Sequence, residues 1–210
     1  MKIIRNLKMY LLGCRPIGRS WYQHFEMNDG FTNFKHVGDR GRLRTNIMLK
    51  ALDAFPFLNT DVVTDIGSNA SVFGQYILGR VSKVYGIEID QKFHRQAKFL
   101  KSLYDDNDDQ RKLILLNRDI QSCVTEITAS TIVFISKVLY HKNINKNQQS
   151  LMGMILHPNL RGVIMQGHTT QGEFGSLKFI EDFMMRNNFD VIYKEEHHEY
   201  PIVCGVRNRD

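Results

Sequence analysis

Cysteine is scarce in this chain of 210 residues: Cys14, Cys123 and Cys204 are the only three, far apart and odd in number. No C-x-x-C pair occurs, so neither a zinc knuckle nor a disulfide framework is expected, and a reducing cytoplasm is the simplest setting. No apolar run approaches the length that a bilayer crossing needs. The basic opening stretch, with Lys2, Arg5 and Lys8 ahead of Met9-Tyr10-Leu11-Leu12, is too interrupted for a signal peptide and reads as a short amphipathic helix. Low-complexity tracts and internal repeats are absent. The acidic run Asp105–Asp109 lacks the spacing and the terminal Glu of a calcium loop and reads as solvated. No tyrosine is followed four residues later by lysine, which removes the Tyr-x-x-x-Lys pair of short-chain oxidoreductases. A G-x-G-x-x-G turn is also missing: Asn69 and Val72 stand where the second and third glycines would follow Gly67.

What remains is an ordinary globular composition, 42% hydrophobic and 24% charged, long enough for one domain with a proper core. The formal net charge of +6 suits nucleic acid, anionic lipid or an acidic small substrate, and equally a solvated basic face. Arg40, Arg42 and Arg44 form one cluster of that charge.

The segment Asp61–Asp90 carries most of the information. Val62-Val63-Thr64 leads into the small-residue turn Asp65-Ile66-Gly67-Ser68-Asn69-Ala70-Ser71. A helical stretch from Val72 to Leu78 follows, and Val84-Tyr85-Gly86-Ile87-Glu88 makes a second apolar run ending in an acid. This is a βαβ unit whose first turn lets a ligand approach the backbone, because no bulky side chain stands in the way. An acid closing the second strand accepts hydrogen bonds from ribose hydroxyls. The unit therefore predicts a nucleoside-containing cofactor, one without the pyrophosphate that demands three glycines.

Downstream, Leu113–Leu116 predicts a third strand followed by Asn117-Arg118-Asp119-Ile120, and Thr131–Ile135 a fourth followed by Ser136-Lys137-Val138-Leu139-Tyr140-His141. Arg161–Gln166 predicts a fifth, and Phe174–Asn187 a helix opened near Gly175-Ser176. Val191–Glu196 and Ile202–Arg207 are too close together for a crossover helix and predict an antiparallel hairpin. Helices are also expected over Leu43–Ala54, with Leu43, Ile47, Ala51 and Ala54 on one face, over Phe93–Tyr104 and over Asn147–Leu156.

D-I-G-S-N-A-S followed by V-Y-G-I-E-I-D resembles the first two motifs of class I methyltransferases that use S-adenosylmethionine (SAM). Ser71 stands where a glycine is usual there. V-L-Y-H after strand four, and Trp21–Gly30 ahead of the domain, are similar to the subfamily that includes the tRNA wobble-uridine carboxymethyltransferases. These matches span roughly residues 21–166.

The resemblance implies an α/β, Rossmann-like fold: a mostly parallel seven-stranded sheet, a C-terminal antiparallel hairpin, and helices on both faces. It implies residues 1–58 as an N-terminal helical or lid segment and residues 59–210 as the SAM-binding domain. It also implies site residues. Gly67, Ser68 and Asn69 would pass close to the amino-acid part of SAM, with Asp65 on its ammonium. Glu88 would take the ribose hydroxyls, and Asp119 with Ile120 the adenine. Asp90 is better placed to cap the next helix. Tyr140 would line the pocket, and His141 would act as a base or merely cap or pack.

Trp21, Tyr22 and His24 are a lid or an aromatic staple, and His168 reaches toward the acceptor. Glu195 and His197 share a strand face but lack a third partner, so no metal site is predicted. The expected activity is methyl transfer from SAM, leaving S-adenosylhomocysteine, to a small-molecule or sugar hydroxyl or amine. RNA, with tRNA and carboxy-SAM as one form, and a catalytically silent SAM-binding module are the alternatives.

Overall fold

The computed structural model describes residues 39–102, 108–136, 152–153, 155–168 and 175–207. Its elements are α1 (Asp39–Ala54), β1 (Val62–Ile66), α2 (Val72–Tyr76), β2 (Lys83–Ile87), α3 (Gln91–Ser102), β3 (Leu113–Leu116), α4 (Val124–Thr128), β4 (Ile132–Ser136), β5 (Gly162–Gln166), α5 (Leu177–Arg186), β6 (Asp190–Glu195) and β7 (Ile202–Val206). The strands form one seven-stranded sheet in the order β3-β2-β1-β4-β5-β7-β6. Neighbours from β3 through β5 are parallel, and β7 inserts antiparallel between β5 and β6. The predicted Rossmann-like sheet with its terminal hairpin is therefore present.

Residues in register share a face of the sheet. Asp65, Phe134, Ile164 and Cys204 are aligned across β1, β4, β5 and β7, and Ile66, Ile135, Met165 and Val203 are aligned on the opposite face. Each face carries its own core. On the first, Ile47, Met48, Ala51 and Leu52 of α1 join Phe73, Val63, Phe134 and Ile164. On the second, Ile127 of α4 and Ile180, Phe183 and Met184 of α5 cover Ile66, Val133, Val163 and Met165. With both faces covered, β4 and β5 are buried at every position, which explains their unbroken apolar runs.

The stripe that α1 buries differs from the expected one. Leu43 is 41% exposed and Ala54 is exposed, whereas Arg44, Ile47, Met48 and Ala51 are buried. The helix after the first turn is also shorter than predicted: α2 stops at Tyr76 and a 3-10 turn, Leu78–Arg80, follows. The short helical turns Ile120–Cys123 and Val124–Thr128 went unpredicted, being too brief to show a period.

The amino edge of the sheet is closed by one buried carboxylate. Asp61 accepts from the Leu58 amide (2.7 Å), the Thr131 hydroxyl (2.8 Å) and Arg161 Nε (3.2 Å), and Arg161 Nη2 also donates to it. Arg161 Nη2 reaches Pro56 O as well, at 3.1 Å. The residues just before β1, β4 and β5 are thereby tied together. Two glycines fix the opposite end of β5: a Cβ on Gly167 would lie 2.1 Å from Gly175 O, and one on Gly175 2.4 Å from His168 O.

Candidate functional site at the carboxyl edge of the sheet

The turn after β1 is held against the end of β2. The amides of Gly67 and Ser68 both donate to Ile87 O, at 2.9 and 3.0 Å. Left-handed residues recur along it, with φ of 69° at Gly67, 54° at Asn69 and 56° at Ser71. Glycine and asparagine adopt that region readily; serine does so at a cost. The fold leaves room for the Ser71 side chain. Its Oγ lies over two glycines, 2.8 Å from where a Gly74 Cβ would sit and 2.9 Å from a Gly86 Cβ. The departure from the usual glycine is thus accommodated by missing side chains on α2 and β2.

Glu88 follows β2 and is only 8% exposed. Its Oε2 accepts from the Asn69 amide and its Oε1 from the Asp90 amide, both at 2.8 Å. Asn117 Nδ2 grips the same corner, donating to Glu88 O at 2.8 Å and Ile89 O at 3.0 Å. Burial pushes the Glu88 carboxyl up, against the pull of its amide donors. A carboxylate offers about four lone-pair sites, so beside the Asn69, Asp90 and Ile89 amides acceptor capacity remains for a ligand hydroxyl. Ile89 beside it is 68% exposed, an apolar side chain presented at a polar corner. Nothing in the residue type alone singled it out; its position one past the acid that follows β2 was the available signal.

Asp65 is 2% exposed, and its Oδ2 is buried without a hydrogen-bond partner. Its carboxyl is pushed up to about 8, chiefly by burial, then by the charge of Glu88, with Arg44 opposing. Ser68 Oγ and Ser71 Oγ are likewise buried without partners. Asp119 is exposed and caps the following turn, its Oδ1 accepting from the Gln121 amide at 2.9 Å. Ile120 is half-buried and packs on the second core. As expected, Asp90 serves the next helix, its Oδ1 accepting from the Lys92 amide at 2.7 Å. The structure thus brings Asp65, Gly67, Ser68, Asn69 and Glu88 together across the ends of β1 and β2, with Asp119 and Ile120 following β3.

Tyr140 and His141 lie outside the described residues, as do Trp21, Tyr22 and His24. His168 lies beyond β5, its ring edge-on to Tyr200 at 5.3 Å; Tyr200 in turn stacks on His197 at 5.5 Å. His197 Nδ1 accepts from the amides of Glu199 and Tyr200, and Glu195 accepts from the Tyr193 hydroxyl. Among the described residues no three His, Cys, Asp or Glu side chains are grouped to hold a metal.

Arg44 is the residue that sequence reasoning misplaced. Counted there as surface charge, it is 4% exposed. Its Nε donates to Gln166 Oε1 (3.2 Å) and its Nη2 to Ser136 Oγ (3.1 Å), while Ser136 Oγ donates to Gln166 Oε1 (2.9 Å). The signal was present: Arg44 is spaced with Ile47, Met48 and Ala51 on the buried stripe of α1.

The residues fit a SAM-type ligand on three observations: a buried carboxylate oxygen lacking a partner, a glycine turn in the left-handed region, and a held acid with acceptor capacity for a hydroxyl. No protein-family model matches the sequence, and no curated protein matches it. Solved structures do. Magnesium protoporphyrin IX methyltransferase from Synechocystis PCC 6803, with bound SAM, aligns over 98% of this chain and 96% of its own at 15% identity and a TM-score of 0.63. Precorrin-6y C5,15-methyltransferase from Geobacter metallireducens GS-15 aligns over 86% and 96%, at 12% identity and 0.58. A candidate tRNA (m1A22) methyltransferase from Streptococcus pneumoniae, Sp1610, aligns over 78% and 70%, at 12% and 0.53. Likeness at such identities establishes architecture: the chain has the Rossmann-like fold of class I methyltransferases.

Proposed function

We propose that the protein is a SAM-dependent methyltransferase acting on a small-molecule or sugar hydroxyl or amine. The observation that carries the reading is the corner where Glu88, gripped by the Asn69 and Asp90 amides, meets the Gly67 turn and the unpartnered Asp65 oxygen. In this reading Glu88 receives the ribose hydroxyls, Asp65 the ammonium, and Ile89 with Ile120 flanks the adenine. The cofactor supplies an electrophilic methyl on a sulfonium; the chain's part is to bind, align and exclude water. Tyr140 and His141 remain the candidates for the acceptor side.

Coverage supports a small acceptor. The chain aligns over 96% of the porphyrin enzyme but 70% of the candidate tRNA enzyme. The net charge of +6 is what favours RNA as the second reading.

Calorimetric titration with SAM, S-adenosylhomocysteine, carboxy-SAM and NAD tests the cofactor. SAM and S-adenosylhomocysteine are expected to bind and NAD is not. Glu88→Gln should weaken SAM by about tenfold to a hundredfold, the loss of hydrogen bonds to a charged acceptor. Gly67→Arg should abolish binding. SAM binding that is indifferent to both substitutions would place the cofactor elsewhere and end the proposal. A preference for carboxy-SAM would bring the RNA reading forward.

A further inference from the structure

Asp65, Ser136 and Gln166 all project from the sheet face that α1 covers. Asp65 is in register with Phe134, two residues before Ser136 on β4, and Ser136 is in register with Gln166 on β5. Arg44 lies on α1 one turn before Ile47 and Met48, which pack on that same face. Its guanidinium is locked by the fork of bonds to Gln166 and Ser136 over the carboxyl ends of the central strands. Among the described residues, the charged groups that act on Asp65 from the surrounding elements are Glu88, beyond β2, and Arg44, from α1; the first opposes ionisation and the second favours it. β2 offers no side chain beside Asp65, because its register partner is Gly86.

We propose that Arg44 is a positioning residue of the cofactor site: its guanidinium, anchored by Ser136 and Gln166, is the counter-charge that lets Asp65 become an anion when a cationic ammonium arrives. This rests on the cofactor reading above. It assigns to α1 a role that its basic composition does not reveal. Without Arg44 the ammonium would have to draw the proton off a carboxyl that burial and the Glu88 charge both hold protonated. Cofactor binding should therefore release a proton from Asp65 at neutral pH, and affinity should rise as pH approaches the Asp65 midpoint, until the ammonium itself loses its proton at about pH 8.

The test is a carbon-13 NMR titration of aspartate carboxyls in the full chain without ligand, with Asp65 assigned by Asp65→Asn, run beside SAM affinity as a function of pH. In the wild type Asp65 should titrate near 8. Arg44→Met should move that midpoint up by about one unit or more and weaken SAM about tenfold at pH 7, with the loss shrinking at higher pH. Arg44→Lys, which keeps the charge, should bring both back toward wild type, as a merely structural role would not. Should Arg44→Met fail to fold, Gln166→Leu frees the guanidinium while leaving its charge, and a smaller upward shift is expected. An Asp65 midpoint that stays put in a folded Arg44→Met protein overturns the proposal. A midpoint that follows Arg44 while SAM binds to no variant overturns the cofactor reading and the ammonium's part in this one, and leaves the charge pairing.

Discussion

Asp61 and Asp65 lie four residues apart in and beside one strand, and both are 2% exposed. At the amino edge, Asp61 is surrounded by donors: an amide, a hydroxyl and the Arg161 guanidinium. At the carboxyl edge, Asp65 keeps an oxygen with no partner, its carboxyl is pushed up to about 8, and the hydroxyls of Ser68 and Ser71 are orphaned as well. Equal burial thus accompanies opposite states of satisfaction. A fully paired buried carboxylate holds a fold together, whereas an unpaired one costs stability that only a ligand can return. The contrast is what makes the carboxyl edge the candidate site, without reference to any ligand.

The largest effect should come from breaking the satisfied end. Asp61→Ala leaves the partly buried Arg161, the Thr131 hydroxyl and the Leu58 amide without their shared anion and should cost about 3–5 kcal/mol in urea unfolding. Asp65→Asn should do the reverse, raising stability at pH 8 by about 1 kcal/mol or more while weakening SAM binding. If both substitutions destabilise alike, the contrast between the edges is wrong.

The pH dependence carries a definite sign. The folded-state pKa of Asp65 lies above its unfolded value, so the native state holds a proton that the unfolded chain gives up. Its contribution therefore lowers stability as pH rises from about 4 to about 8 and is level beyond. Unfolding free energies measured across that window should fall more steeply in the wild type than in Asp65→Asn. Glu88, also raised, keeps a slope of the same sign in both proteins.

A finer test concerns how the carboxyl edge tolerates Ser71. Gly86→Ala would set a Cβ 2.9 Å from Ser71 Oγ and 3.1 Å from Leu115 Cδ2, and should cost about 1–3 kcal/mol. Adding Ser71→Gly should recover much of that loss, and a purely additive double mutant would break the link between the two positions. The smallest effect belongs to the surface: Lys50→Ala removes an exposed pair with Glu195 and should change stability by less than about 1 kcal/mol.

The strands were legible because burial on both faces leaves continuous apolar runs, and β4 and β5 are buried throughout. The Gly67 turn and Glu88 were legible because backbone approach and a strand-end acid are local devices, written in adjacent residues. Asp90 as a helix cap was legible for the same reason. Arg44 was not, since charge in a sequence reads as surface until a partner is found, and its partners lie 92 and 122 residues away. Ser71 also needed the fold, because only β2 folding back beside the turn brings Gly86 beneath its hydroxyl.

The sequence by itself determined where the strands run, which turn is open, and that the last two strands form a hairpin, because periodicity and steric permission act over a few residues. Which buried carboxylate is satisfied and which is left waiting was decided by tertiary structure alone. Pairing in a low-dielectric interior depends on which distant groups the sheet order brings to each edge, and Arg161 went to the amino end of β1 while Arg44 was locked at the carboxyl ends of β4 and β5.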